Sequence, residues 1–296
     1  MQMGERVLKR TVKVIRVVRA MRKTIGDWRA DGQTVALVPT MGALHEGHLA
    51  LVRQARRRCR RTVVSIFVNP TQFAPGEDLD SYPRTFEDDL DKLDALGCDA
   101  VWAPGPGEMY PEGFATRIVL AGAAEGLESD FRPHFFGGVA TVCCKLFTQV
   151  APDIAVFGEK DYQQLQVVRQ LVRDLDLPLR IVGIATIREA DGLAMSSRNR
   201  YLSADERAIA PALHASLRTL AGHVAGAGAK LTARRIEALE QRAAADLLAA
   251  GFAKVDYVAV RDAQSLAPAA LANGRPLRAL AAAWLGKTRL IDNVGI

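Results

Sequence analysis

Two histidines three positions apart, His45 and His48, close the stretch Pro39-Thr40-Met41-Gly42-Ala43-Leu44-His45-Glu46-Gly47-His48. The stretch follows an unbroken apolar run at 35–38, which reads as a buried parallel strand. Residues 49–55 after it read as a helix. A strand-to-helix turn offers backbone N–H groups at a helix N-terminus, where the dipole favours an anion. Imidazoles beside it can donate to phosphate oxygens whose charge grows during a reaction. Zinc binding is the rival chemistry. It wants third and fourth ligands at fixed spacing, and the order His-Glu-Gly-His is not H-E-x-x-H. Phosphate contact accounts better for the pair.

Three further segments carry suitable side chains. Gly158-Glu159-Lys160-Asp161-Tyr162-Gln163-Gln164 follows an apolar run at 154–157, so it too reads as a strand end entering a helix. Lys160 is a compact cation for a polyphosphate, and Gly158 permits close backbone approach. Glu159 and Asp161 equally suit the start of a helix. Asp191-Gly192-Leu193-Ala194-Met195-Ser196-Ser197-Arg198-Asn199 offers two hydroxyls and an arginine on a loop, which suits a mobile phosphate clamp. Its bland alternative is a capping loop, because Ser203 and Glu206 form an S-x-x-E box. In Val68-Asn69-Pro70-Thr71-Gln72-Phe73, Gln72 can donate and accept toward a small substrate, and Phe73 with Met41 can wall an apolar pocket.

The elements that must position these groups alternate. Strands are expected at 35–38, 63–68, 100–103, 154–157 and 180–187, with helices at 17–30, 48–60, 86–96, 139–150 and 162–175. This predicts an α/β fold, a Rossmann-like parallel sheet with helices on both faces and ligands at the carboxyl ends of its strands. Beyond 187 the composition shifts to alanine-rich helices at 204–223 and 232–250, then strands at 255–261, 277–285 and 288–291. That pattern predicts a smaller C-terminal α+β domain, dividing the chain into 1–186 and 187–296.

The totals fit an ordinary globular chain of 296 residues, 49% hydrophobic and 24% charged, long enough for two cores. A formal charge of +6 suits acidic substrates. Arg56, Arg57, Arg58, Arg60 and Arg61 read as a solvated helix end favoured by the dipole. An RNA-binding module is disfavoured, since aromatics are only 6% of the chain and offer no stacking platform. Cys59, Cys98, Cys143 and Cys144 form no C-x-x-C pair and read as reduced core thiols, hence a cytoplasmic protein. No apolar run approaches the about 20 residues of a membrane span. The basic residues 5–13 read as a short extension rather than a transit peptide.

The H-x-G-H spacing resembles the HIGH signature of adenylate-forming nucleotidyltransferases, and M-S-S-R resembles their KMSKS loop. V-P-T-M-G-A-L-H-E-G-H, F-V-N-P-T-Q-F, E-D-L-D-S-Y-P-R-T, F-G-E-K-D-Y-Q-Q-L and D-G-L-A-M-S-S-R-N-R-Y-L occur in one order. Together with the closing T-R-L-I-D-N they resemble the pantothenate synthetase (pantoate–β-alanine ligase) family. The resemblance implies that ATP and (R)-pantoate form pantoyl adenylate and pyrophosphate, and that β-alanine then releases pantothenate and AMP. It implies ATP contacts at Met41, Gly42, Ala43, Leu44, His45, Glu46, Gly47 and His48. Further ATP contacts are implied at Gly158, Glu159, Lys160, Asp161, Ile187, Met195, Ser196, Ser197 and Arg198. His48 is implied as the catalytic proton donor, and Gln72 and Gln164 as pantoate ligands. Charge neutralisation by His, Lys160, Arg198 and Mg²⁺ would then drive adenylation. The metal's ligands stay open, since Asp88 and Asp89 suit a helix start equally well. The resemblance also implies a homodimer and a C-terminal lid. A cytidylyltransferase built on the same HIGH core is disfavoured by the motifs around Gln72 and Gln164. One departure stands out: the family's R-P-G-H-F-x-G-V reads Arg132-Pro133-His134-Phe135-Phe136-Gly137-Gly138-Val139 here, so its pocket histidine falls on Phe135.

Overall fold

The computed structural model describes residues 10–73, 79, 82–83, 85–269 and 274–296. The basic residues 5–9 and much of E-D-L-D-S-Y-P-R-T lie outside the described residues. The chain begins with β1 (Lys13–Ile15), α1 (Val18–Ala30), β2 (Val35–Thr40), α2 (Glu46–Arg58), β3 (Arg61–Ile66), α3 (Phe86–Ala95) and β4 (Ala100–Trp102). It continues with α4 (Pro106–Met109), α5 (Glu128–Phe131), α6 (Phe135–Val150), β5 (Ile154–Gly158), α7 (Tyr162–Asp174) and β6 (Arg180–Ile184). These strands form one parallel sheet in the order β1-β4-β3-β2-β5-β6.

The continuous apolar character of β2 follows from cover on both faces. Successive side chains alternate, so Val35 and Leu37 pack with Met21 of α1 and with Leu146 and Leu165 of α6 and α7. Ala36 and Val38 pack on the other face with Val52 of α2 and Leu93 of α3. The strand order turns at its middle. From β2 the chain crosses to β3 on one side, whereas from β5 it crosses to β6 on the other. The two connections diverge and leave a crevice at the carboxyl ends of β2 and β5.

The second layer contains α8 (Ala204–Ile209), α9 (Ala212–Ala227), α10 (Ala233–Ala249), β7 (Lys254–Asp262), β8 (Leu277–Leu285) and β9 (Thr288–Gly295), with an antiparallel sheet β7-β8-β9. One face of that sheet, Val260, Ala279, Ala281 and Ala283, packs on Leu213, Leu217 and Leu247 of the two long helices. Its other face sends Ala259 and Leu280 into the first domain's core. The small sheet is therefore docked on the large one. Among the described residues no helix is long and apolar enough to cross a membrane.

Three expectations need correction. β1 is a strand paired with β4, in a stretch read as an extension running into a helix; three residues carry too little pattern to be seen. The helix expected at 204–223 is two, because Pro211 lacks the N–H that would continue it. The strand expected at 180–187 ends at Ile184, leaving 185–187 on the rim of the crevice.

Candidate active site

The link from β2 to α2 forms the floor of the crevice. Gly42 (φ +86°) and Ala43 (φ +50°) are both left-handed, which turns the N–H groups of Ala43 and Leu44 to one side. Both donate, at 2.8 Å each, to the two oxygens of Asp89 on α3. The Gly42 N–H donates to Thr40 Oγ1 at 3.2 Å. These three donors, which precede the helix, are spent on the protein itself, and the first-turn N–H of Gly47 is taken by His45. Ala43 and Leu44 are buried, and Glu46 faces solvent and pairs with Arg53. Met41, His45, Gly47 and His48 line the crevice, while Gly42, Ala43, Leu44 and Glu46 do not.

His45 caps α2 by accepting the Gly47 N–H at its Nδ1 (3.2 Å), and His48 Nδ1 accepts the His45 N–H (3.4 Å). The ring centroids are 4.1 Å apart. Burial, with Lys160 nearby, pushes the His45 pKa down to about 4. Burial, then His45 and Lys160, pushes His48 down to about 3. Both rings are therefore neutral at pH 7. With each Nδ1 accepting, the proton of each neutral ring resides on Nε2. In place of the cations that charge neutralisation by histidine required, the site holds two neutral N–H donors.

At the end of β5, Gly158, Lys160, Asp161 and Gln164 line the crevice, with Lys160 Nζ 3.5 Å from Asp161. Glu159 points to Arg278 instead (3.1 Å). Gln72 lies on the turn after β3, in the same crevice. Buried Asn69 positions it, donating through Nδ2 to Gln72 Oε1 and to the Gly138 carbonyl (3.2 Å each) and accepting from the Tyr110 hydroxyl (2.8 Å). Gln72 Nε2 faces Met41 Sδ at 3.1 Å, a weak acceptor. Gly138 is required there, since a Cβ would stand 2.4 Å from the Thr71 carbonyl oxygen. Phe73 and Met41 form the expected apolar wall, and Tyr82 joins them. Phe135 also lines the crevice, with the Arg132 guanidinium 4.0 Å above its ring, whereas His134 is exposed.

The second domain closes the far side with Ile187, Met195, Ser196, Ser197 and Arg198. Ser196 caps the short helix Ser197–Tyr201, and Ser197 Oγ lies 3.4 Å from the Tyr82 hydroxyl across the crevice. The loop is tied to its own domain. Asn199 donates to Glu189 and to the Ala194 carbonyl (3.1 Å each), and Arg188 makes a bidentate pair with Asp292 (2.7 and 2.9 Å). Asn293 donates both hydrogens of its amide to the carbonyls of Glu159 and Lys160, at 2.9 Å each. Asn69 and Asn293 were not singled out from sequence, and Asp89 was weighed only as a metal ligand or a helix-start acid. Asn69 and Asn293 do lie within quoted motifs, but only the fold reveals their contacts. Among the described residues no three His, Cys, Asp or Glu side chains come together to hold a metal. Asp88 is exposed and Asp89 is committed to the Ala43 and Leu44 amides.

Residues 13–295 match the model of the family described as pantoate-beta-alanine ligase. A pantothenate synthetase of Bradyrhizobium sp. (strain BTAi1) is 56% identical over 98% of this chain and 100% of its own. One from Mesorhizobium japonicum is 58% identical over 96% and 98%. The crystal structure of the Thermus thermophilus enzyme superposes with a TM-score of 0.85 at 45% identity, covering 96% of this chain and 99% of that one. A Francisella tularensis pantoate-beta-alanine ligase, complexed with "Beta-gamma ATP and Beta-alanine", superposes with a TM-score of 0.79 at 30% identity, over 96% and 97%.

Proposed function

This chain belongs to the pantoate-beta-alanine ligase family and is an ATP-dependent ligase of that class, and from that premise we propose how its crevice divides the work. (R)-Pantoate rests on Gln72 and Gln164 with its carboxylate toward the α-phosphorus of ATP. The carboxylate oxygen attacks, the bond to the β-phosphate oxygen breaks, and pyrophosphate leaves. The Nε2–H groups of His45 and His48, with Lys160 and Arg198, meet the charge growing on the phosphates. The unprotonated amine of β-alanine then attacks the acyl carbon of pantoyl adenylate, expels AMP and releases one proton to solvent. Enforced proximity of carboxylate and phosphorus supplies much of the acceleration. Mg²⁺ is expected as the companion of ATP, and among the described residues no side chains build a metal cage. The phosphate oxygens of the nucleotide would hold it there.

The observation that carries this reading is the convergence of His45, His48, Gln72, Lys160, Gln164 and Met195–Arg198 on one crevice at the switch point between β2 and β5. Residues 1–186 then act as the ATP- and pantoate-binding domain and 187–296 as the lid. A homodimer, as the family resemblance implies, completes this reading. Four unpaired cysteines support a cytoplasmic setting. The test is AMP formation from ATP, pantoate and β-alanine with each omitted in turn. Carboxylate-¹⁸O of pantoate should appear in AMP, and its absence would rule out the adenylate route.

A further inference from the structure

We propose that Asp89 is a positioning residue for adenylation, fixing the turn that carries His45 and His48 from the side away from substrate. This rests on the ligase reading above. Consecutive left-handed residues, Gly42 and Ala43, form a backbone concavity of the kind that seats an anion. Here the concavity is already filled by a carboxylate of the protein. Asp89 is fully buried, and its Oδ2 and Oδ1 accept the N–H groups of Ala43 and Leu44 at 2.8 Å each. Thr85 Oγ1 adds a third donor at 3.2 Å.

The same helix holds the next peptide by its opposite pole. Lys92 Nζ donates to the Leu44 carbonyl at 2.9 Å and stands 3.8 Å from Asp89. Leu44 immediately precedes His45, so α3 grips the turn at both N–H and C=O one residue before the first imidazole. Ala43 is an L-residue held at φ +50°, a conformation that does not persist without such support. The turn is crowded as well. A Cβ on Gly42 would meet Asp89 Oδ2 and Ile66 Cγ2 at 3.2 Å. Asp89 is not among the residues lining the crevice, so any effect it has on chemistry passes through the turn.

Asparagine at 89 keeps the shape and one acceptor but points an NH₂ at the second N–H, so Asp89→Asn perturbs the grip specifically. Pantoate-dependent ATP–pyrophosphate exchange should fall about 10–100-fold in kcat/KM for ATP. Aminolysis of separately prepared pantoyl adenylate by β-alanine, and KM for pantoate, should stay within about threefold, since neither engages the pyrophosphate. Amide exchange at Ala43 and Leu44 should quicken while that of Leu93 on α3 is unchanged. Parental exchange activity in Asp89→Asn would overturn the assignment. So would equal losses in both half-reactions accompanied by a lowered Tm, which mark a merely structural residue. If Asp89→Asn does not fold, Thr85→Val removes only the third donor. A selective loss of about threefold in pyrophosphate exchange then supports the proposal, and no selective loss overturns it. A parent protein that makes no AMP from the three substrates would refute the ligase reading, while amide exchange would still report the grip.

Discussion

Lowering the pH from 7 to 5 should destabilise the substrate-free protein through His48. Its folded pKa is depressed to about 3 by burial against an ordinary value of 6.5. The unfolded chain therefore binds the extra proton between these values, and stability falls as pH drops below 6.5 and onward toward 3. At pH 5 the interval is about 1.5 pH units, or about 2 kcal/mol at about 1.36 kcal/mol per unit. His45, depressed to about 4 but partly exposed, adds about 1 kcal/mol after discounting for solvent. His48→Asn isolates the larger share, because the Asn oxygen can still accept the His45 N–H but cannot titrate. Urea unfolding of parent and variant at pH 7 and pH 5 gives the measurement, and the variant's pH dependence should be smaller by about 2 kcal/mol. Equal pH dependence in the two proteins would refute the neutral-imidazole assignment. ATP must act with the opposite sign. Polyphosphate beside the rings favours imidazolium, so ATP binding at pH 5 should take up protons, seen by calorimetry in buffers of different ionisation enthalpy.

Replacing His48 with Ala should lower kcat for adenylation by about 10²–10³ and change ATP KM less, as single-turnover pyrophosphate release would show. Asn293→Ala removes two donations to the Glu159 and Lys160 carbonyls, a loss of about 1–3 kcal/mol that should appear as a raised ATP KM with pantoate KM unchanged. Gly138→Ala puts a methyl against the Thr71 carbonyl, so it should cost about 1–3 kcal/mol of stability in thermal unfolding and raise pantoate KM by shifting Gln72. Converting His134→Gly and Phe135→His together exchanges an aromatic platform under Arg132 for a hydrogen-bonding ring. Steady-state kinetics should then show kcat/KM rising for pantoate or β-alanine while ATP binding holds, and no rise in either would mean the departure is already compensated.

The sequence exposed the residues that face the crevice more readily than those that hold them there. His45, Lys160 and Gln72 each follow a short apolar run and a turn, so their place at strand ends could be read locally. Asp89 could not be separated from an ordinary acid at a helix start, because its function depends on Ala43 and Leu44, 46 and 45 positions away. The left-handed Ala43 carries no signal, since alanine gives no hint of positive φ. The turn in strand order between β2 and β5 was also hidden. Alternating strands and helices predict a parallel sheet, but not which neighbour each strand takes. At Pro211 the breaker was in plain view, and the alanine-rich pattern on both sides obscured it.

Four carboxylates around the crevice are held by scaffold donors. Asp89 takes two amides, Glu159 takes Arg278, Asp292 takes Arg188, and Glu128 takes Arg289 (2.7 Å) with the Tyr257 hydroxyl (2.9 Å). Two of these partnerships, Glu159–Arg278 and Glu128–Arg289, join the first domain to the second, as does Asn293 on the Glu159 and Lys160 carbonyls. An opening of the crevice that separates the domains would part both carboxylates from their cations, beside the proposed nucleotide site. The first domain's wall would then be the more negative one and would hold ATP less well. A ligand that prefers the closed arrangement must in turn favour closure by the same free energy. If residues 187–296 act as the lid proposed above, the contacts that dock the small sheet couple lid position to nucleotide affinity, through residues that need not touch the nucleotide.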